Sequence, residues 1–107
     1  MQPQIEIMIC TEELCQRISL GVTDVREIVA HGIIEPTVGE AGDWQFSGEG
    51  VARAARAARL HRDLQIDWQA VALVVDMLEE MRALKRENQQ LRQRLERFLA
   101  SGTLPAA

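Results

Sequence analysis

Tyrosine is absent from this 107-residue chain, and two tryptophans and two phenylalanines are its only aromatic residues. A core with so few rings has to be assembled from aliphatic side chains and alanine. Cysteine is nearly as scarce. Cys10 and Cys15 are too few for the cross-linked framework of a small secreted domain and read as unbridged thiols in a reducing compartment. No apolar run approaches the roughly 20 residues that span a bilayer, and the MQPQIEIMIC segment lacks the basic start and long apolar stretch of a secretion signal. A cytoplasmic address without membrane contact is therefore expected. Positive charge is not in excess either: the formal net charge is −4, the wrong sign for a protein whose main task is to neutralise phosphates.

The chemical vocabulary is equally thin. The chain has no phosphate-cradling glycine loop, no HExxH and no nucleophile motif, and His31 and His61 are its only near-neutral acid-base groups. His31 falls in the last turn of an expected helix, where an imidazolium favours the dipole and a structural role follows. Cys10 and Cys15 with these two distant histidines do not match the compact spacings of zinc sites. No catalytic residue, metal or cofactor is expected, and the chain reads as a non-enzyme.

What the chain does have is charge separated along its length. Residues 1–50 carry nine acids and two bases, a net −7, whereas residues 51–107 carry ten bases and seven acids, a net +3. The length suits one domain with a modest core. Ile5, Ile7 and Ile9 alternate with Glu6 and Met8, the pattern of a short strand with one buried face. Thr11 can then cap a helix with Glu12 and Glu13 at its positive end and Leu14, Cys15 and Ile18 as its apolar stripe, ending at Gly21. A second start at Thr23, with Asp24 in the first turn and Val25, Ile28 and Val29 on one face, stops at Gly32 and completes a helix-turn-helix. The stretch IIEPTVGEAGDWQF, punctuated by Pro36, Gly39 and Gly42, predicts a small β-hairpin wing.

Ser47 offers the next cap, ahead of the Ala-rich helix VARAARAARLHRDL, and Asp67 caps again. From Trp68 to Ala100 there is neither glycine nor proline, so a helix of about 50 Å is expected, longer than a domain this small can cover. Val74, Met81, Asn88 and Leu95 fall seven apart, as do Met77, Leu84, Leu91 and Phe98, and the two series interleave as the a and d positions of a coiled coil. Val71, Val75 and Leu78 widen the stripe at its start, where packing on the chain's own domain accounts for them; beyond Leu84 only the seam is apolar, and self-association into a homodimer follows. Asn88 is either the polar a residue that costs stability and selects register or an exposed helix position near a frayed end. In a parallel pair Glu80 faces Lys85 and Glu87 faces Arg92, which leans parallel by only a few tenths of a kcal/mol per pair. The expected organisation is a winged helix-turn-helix domain over 1–66, a long helix with a dimerisation seam over 67–100 and a disordered tail over 101–107.

As a DNA reader this helix-turn-helix is poorly equipped. A recognition helix presents Arg, Lys, Asn or Gln to base edges and phosphates, yet TDVREIVAHG offers one arginine beside two acids, and the wing VGEAGDW is acidic. Carboxylates placed against a polyanion repel it before any specific contact forms. The surface suits a basic protein instead, with Glu12, Glu13, Asp24 and Glu27 nearest the contact. Arg53, Arg56, Arg59 and Arg62 recur every three residues as a solvated basic strip with His61 beside them. That strip is either the outer face that keeps an Ala-rich helix in solution or a rival contact surface. Trp44 and Trp68 read as core residues, each also able to anchor an interface.

The short strand, the helix-turn-helix TEELCQRISLGVTDVREIVAHGIIEP, an aromatic-ended wing, a capped third helix and a long terminal coil together resemble a reduced MerR-type winged domain. More specifically, LQIDWQAVALVVDMLEEMRALKRENQQLRQRLERF, with its IDW and ENxxLRQRL pieces, closely resembles the end of the bacterial chaperone modulators called CbpM. The fold class implied is mainly α. The function implied is a non-enzymatic inhibitor that binds the J-domain of a DnaJ-like co-chaperone, CbpA, limits its activity with DnaK and restrains its DNA binding. J-domains carry a basic helix for DnaK, which an acidic helix-turn-helix could occupy in competition. The second helix lacks the Arg-Tyr-Tyr-like cluster of DNA-binding MerR regulators, and nothing after Cys15 supplies their metal-sensing cysteines. MerR-type dimers usually cross their coils antiparallel, so the direction of this coil stays open. The alternative function is a small MerR-like DNA-binding transcriptional regulator, with only the Arg53 to Arg62 strip in its favour.

Overall fold

A computed structural model of the chain describes residues 7–102. Ile5 and Glu6 of the expected strand and residues 103–107 of the expected tail lie outside the described residues. Four helices and three short strands follow one another: β1 (Ile9–Cys10), α1 (Thr11–Ile18), α2 (Val22–Ala30), β2 (Thr37–Val38), β3 (Trp44–Phe46), α3 (Gly48–Leu64) and α4 (Trp68–Ala100). They form two compact units, the first ending at Val75 and the second beginning at Asp76, with α4 contributing to both.

The first strand is shorter than its isoleucines suggest. It pairs antiparallel with β3, Ile9 opposite Phe46 and Cys10 opposite Gln45, while β2 pairs with the other edge of β3. Residues directly opposite across a ladder share a face, and Ile9 and Phe46 are both buried there. Because β3 is only three residues long, it offers no partner further back, and Ile7 stands 77% exposed. The wing turns through Glu40, Ala41 and Gly42, closed by Gly39 N–H to the Asp43 carbonyl at 2.8 Å. Gly42, at φ 81°, supplies the left-handed residue that such a three-residue hairpin loop requires.

Both N-terminal caps of the helix-turn-helix differ from expectation. Thr11 and Thr23 lie inside the first turns of their helices, and the cap positions belong to Cys10 and Gly21, neither with a side-chain cap hydrogen bond. Cys10 holds extended backbone because it is still the strand residue, so strand and helix abut and Thr11 cannot occupy the non-helical cap conformation. Glu12, Glu13 and Asp24 in the first turns offset the uncapped dipoles. The later caps form as the sequence implies: the Ser47 hydroxyl accepts from Gly50 N–H at 3.1 Å and the Asp67 carboxylate from Ala70 N–H at 2.8 Å.

α2 ends in a Schellman motif. Ile33 N–H donates to Ile28 O and Gly32 N–H to Val29 O, both at 3.0 Å, with Gly32 at φ 73° and the Ile28 and Ile33 side chains buried beside them. α1 ends with Ser19, at φ 57°, in the same left-handed region. Gln65, at φ 53°, ends α3 likewise.

The core of the first unit joins Leu14 and Ile18 of α1, Val25 and Ile28 of α2, Ile33, Ile34 and Phe46 to α3 and the start of α4. α3 meets it with Ala54, Ala57 and Ala58, whose small side chains let the α1 backbone approach closely. Trp68, Val71 and Val75 of α4 complete it. Trp68 stacks on His61 with ring centroids 4.0 Å apart, and His61 Nδ1 lies 2.8 Å from the Ile66 carbonyl. Since that oxygen can only accept, Nδ1 carries the proton, and the imidazole ties α3 to the link that launches α4.

The left-handed positions give a paired stability test. Ser19→Gly should stabilise the chain by about 0.5–1 kcal/mol, the relief of a left-handed side chain less the extra chain entropy of glycine. Gly32→Ala should cost about 1–2 kcal/mol by the same strain. Urea unfolding midpoints at constant slope would show the opposite signs; equal signs would contradict the assignment.

Candidate functional site

The four acids singled out in the sequence do not form one patch. Glu12, Glu13 and Glu27 are exposed and Asp24 is half-buried. Glu13 pairs with Arg17 one turn on at 3.2 Å, and Glu27 with His31 Nε2 at 3.3 Å, both in solvent-screened settings that contribute little. Glu12 and Asp24, from different helices, both act electrostatically on Cys15. Burial, then the Glu12 carboxylate, then that of Asp24 push the Cys15 thiol above its ordinary range, because a thiolate there would be poorly hydrated and beside negative charge. Both cysteines are free, Cys10 exposed and Cys15 half-buried.

Helical spacing divides α2 into faces. Val25 and Ile28 point to the core; Val22 and Arg26, four apart, share one flank, and Asp24, Glu27 and His31 share another, roughly 150° round the helix. On the Val22 flank a cleft of about 310 Å³ opens between the starts of α1 and α2 and the wing, lined by Thr11, Glu12, Val22, Arg26, Gly42, Asp43 and Trp44. Val22 is 45% exposed at its edge. Trp44 is half-buried and meets Phe46 edge to face, centroids 6.4 Å apart. The sequence marks the wing as acidic, but nothing local in it joins Asp43 and Trp44 to Val22 and Arg26, since this junction exists only once the hairpin folds back on α2.

The basic strip is not uniformly solvated. Arg59 and Arg62 are exposed, whereas Arg53 and Arg56 are half-buried. A three-residue spacing rotates steadily round a helix, and here it carries the row from the packed side of α3 to the open side. Arg53 lines a polar groove with Glu35, Ser47 and Glu49, and Arg62 pairs with Asp63 at 3.4 Å. His61 belongs to the Trp68 stack rather than to the strip.

Along α4 the proposed seam residues are accessible. Val74 is half-buried, and Met77, Met81, Leu84, Leu91, Leu95 and Phe98 are each at least 39% exposed. Asn88 is exposed, and its Oδ1 accepts from Arg92 Nε at 2.7 Å. The core stripe Trp68, Val71 and Val75 lies on a different side of the helix, roughly 130° away, so the seam is not consumed by packing within the first unit. Among the described residues no helix is long and apolar enough to cross a membrane, and no group of three or more His, Cys, Asp or Glu side chains is placed to hold a metal.

The architecture is that of a winged helix-turn-helix protein, and the family model described as MerR HTH family regulatory protein matches residues 9–93. Similarity to characterised sequences extends over almost the whole chain. The chaperone modulatory protein CbpM of Pseudomonas putida strain GB-1 is 39% identical over 98 residues, 92% of this chain and 97% of that protein. CbpM of Pseudomonas entomophila strain L48 is 37% identical with the same coverage, and CbpM of Salmonella paratyphi B is 35% identical over 96 residues, 90% of this chain and 95% of that protein. The chain belongs to the CbpM family of MerR-like helix-turn-helix proteins.

The influence of Glu12 and Asp24 on Cys15 has a chemical signature. At pH 8 iodoacetamide should label Cys10 well before Cys15, and Glu12→Gln with Asp24→Asn should speed the labelling of Cys15 by lowering its pKa. Mass spectrometry of the labelled peptides reads both rates; a Cys15 rate indifferent to the double substitution would separate those carboxylates from the thiol.

Proposed function

We propose that this chain is a non-enzymatic modulator that binds the J-domain of a DnaJ-like, CbpA-type co-chaperone in the cytoplasm, inhibiting its co-chaperone activity with DnaK and its DNA binding. The observation that carries this reading is the sign of the helix-turn-helix surface. Where a DNA reader would present cations, the helix-turn-helix presents Glu12, Glu13, Asp24 and Glu27, with Glu40 and Asp43 on the wing, against Arg17 and Arg26. Such a surface repels nucleic acid and attracts the basic helix of a J-domain. The name chaperone modulatory protein, borne by relatives that match nearly end to end, supports the same reading.

Residues 67–100 would serve as the dimerisation helix, joining two copies through Val74, Met77, Met81, Leu84, Asn88, Leu91, Leu95 and Phe98. The support is the row of exposed apolar side chains sustained at heptad spacing, which an isolated helix would otherwise show to water. Dimerisation would place two acidic surfaces in one assembly and leave the first unit's fold unchanged.

Two measurements test these statements. Asp24→Lys with Glu27→Lys should slow association with the J-domain about tenfold, as added salt should in the parent, while leaving the melting temperature within about 5 °C. Unchanged association would remove Asp24 and Glu27 from the contact, whereas a footprint on a defined DNA duplex at physiological salt that is lost with Arg26→Ala would favour the transcriptional regulator instead. Leu84→Asp with Leu91→Asp should convert the dimer to a monomer in sedimentation equilibrium, because four carboxylates would line the shared seam. A monomeric parent would remove the dimer.

A further inference from the structure

We propose that the cleft between the starts of α1 and α2 and the wing turn is the seat of the partner's helix, and that it takes a lysine or arginine lying one turn from an aliphatic side chain. This inference rests on the reading that the partner is a J-domain, and it places the contact on the Val22 flank of α2 rather than on the flank that carries Asp24 and Glu27.

Three features of the cleft point to that occupant. The first is an apolar floor at the surface. Val22 and Trp44 line it, and Val38, 64% exposed, stands opposite Trp44 in the hairpin, so its side chain lies on the same sheet face. Ile7, Leu64 and Leu73 are exposed as well, but Val22, Trp44 and Val38 are the apolar side chains gathered at this cleft, and such a group can hold one inserted side chain at an interface centre.

The second is the sign and position of the rim. Glu12 enters from α1 and Asp43 from the wing, two carboxylates from separate elements on one cleft. A partner cation would meet them beside apolar surface, where a charged pair is screened less than in open water. The Asp43 backbone is also held by the turn, its carbonyl accepting from Gly39 N–H at 2.8 Å.

The third is Arg26, the one cation lining the cleft among the described residues. Opposite charges along one groove give an incoming helix a direction, with its cation toward Glu12 and Asp43 and an acid or helix C-terminus toward Arg26. A nucleic-acid occupant would have to bring its phosphates against both carboxylates, which a single arginine does not offset. The acids on the opposite flank, Asp24 and Glu27, then act at a distance on the rate of encounter, while the cleft sets the lifetime of the complex.

That division is what the experiment reads. Binding of a purified J-domain to the full chain is followed in real time for the parent, Val22→Ser, Asp43→Lys and the control Glu49→Lys, an exposed acid on α3 outside the cleft. The two cleft variants should each raise the dissociation rate about tenfold or more, and the control should leave it within twofold. Acrylamide quenching of the unmodified chain gives a second readout without any substitution. Trp68 is only 7% exposed, so quenching reports Trp44, and a saturating J-domain should protect it. Unaltered quenching together with parent-like dissociation of both cleft variants would overturn the seat while the J-domain reading stands. A parent that binds no J-domain would overturn the functional reading and the seat with it.

Discussion

Among the described residues no polar or charged side chain is buried, and that exclusion governs the rest of the structure. A core of this size cannot hydrate a carboxylate or surround it with donors, so burying one would cost several kcal/mol. The acids of residues 11–50 therefore have only the surface to occupy, where, spread over several flanks, they outnumber Arg17 and Arg26. A fold shared with MerR-type proteins is thereby given acidic side chains on its helix-turn-helix and wing. The backbone positions two helices and a wing, and the side chains decide what can approach them.

Within the first unit the same economy appears in how the elements meet. With few aromatic rings to fill space, α3 approaches α1 through alanines, and the one buried tryptophan is spent at the junction with α4. The His61–Trp68 stack and the His61 bond to the Ile66 carbonyl fix where α4 starts, and Val71 and Val75 fix which side of it faces the core. Its other apolar residues, from Met77 to Phe98 at heptad spacing, stay exposed. One helix thus carries two apolar stripes, a buried one near its start and an exposed one further along, turned away from each other round the helix axis.

Much of this was legible in the sequence because local chemistry sufficed. Ser47 and Asp67 announce helix starts with their own hydroxyl and carboxylate, Gly32 and Gly42 mark left-handed positions, and an uninterrupted run from Trp68 to Ala100 has no reason to stop. What was missed depends on contacts distant in the chain. The pairing of β1 with β3 limits the first strand to two residues and displaces the cap from Thr11 to Cys10. The exposure of Arg59 against the half-burial of Arg53 depends on which side of α3 meets the core. The cleft residues come from α1, α2 and the wing, and no short-range pattern joins Glu12, Val22 and Asp43. Their charge signs were readable; their assembly was not.

The central claim is that the acidic helix-turn-helix and wing form the surface that engages a J-domain. Amide hydrogen exchange of the full chain, alone and saturated with a J-domain, tests it most directly because it maps contact along the backbone without altering any side chain. The account predicts slowed exchange at the starts of α1 and α2 and through the wing, residues 11–46, with the Arg53 to Arg62 stretch of α3 unaffected. Protection confined to that arginine stretch, with the wing and both helix starts exchanging as in the free chain, would contradict it.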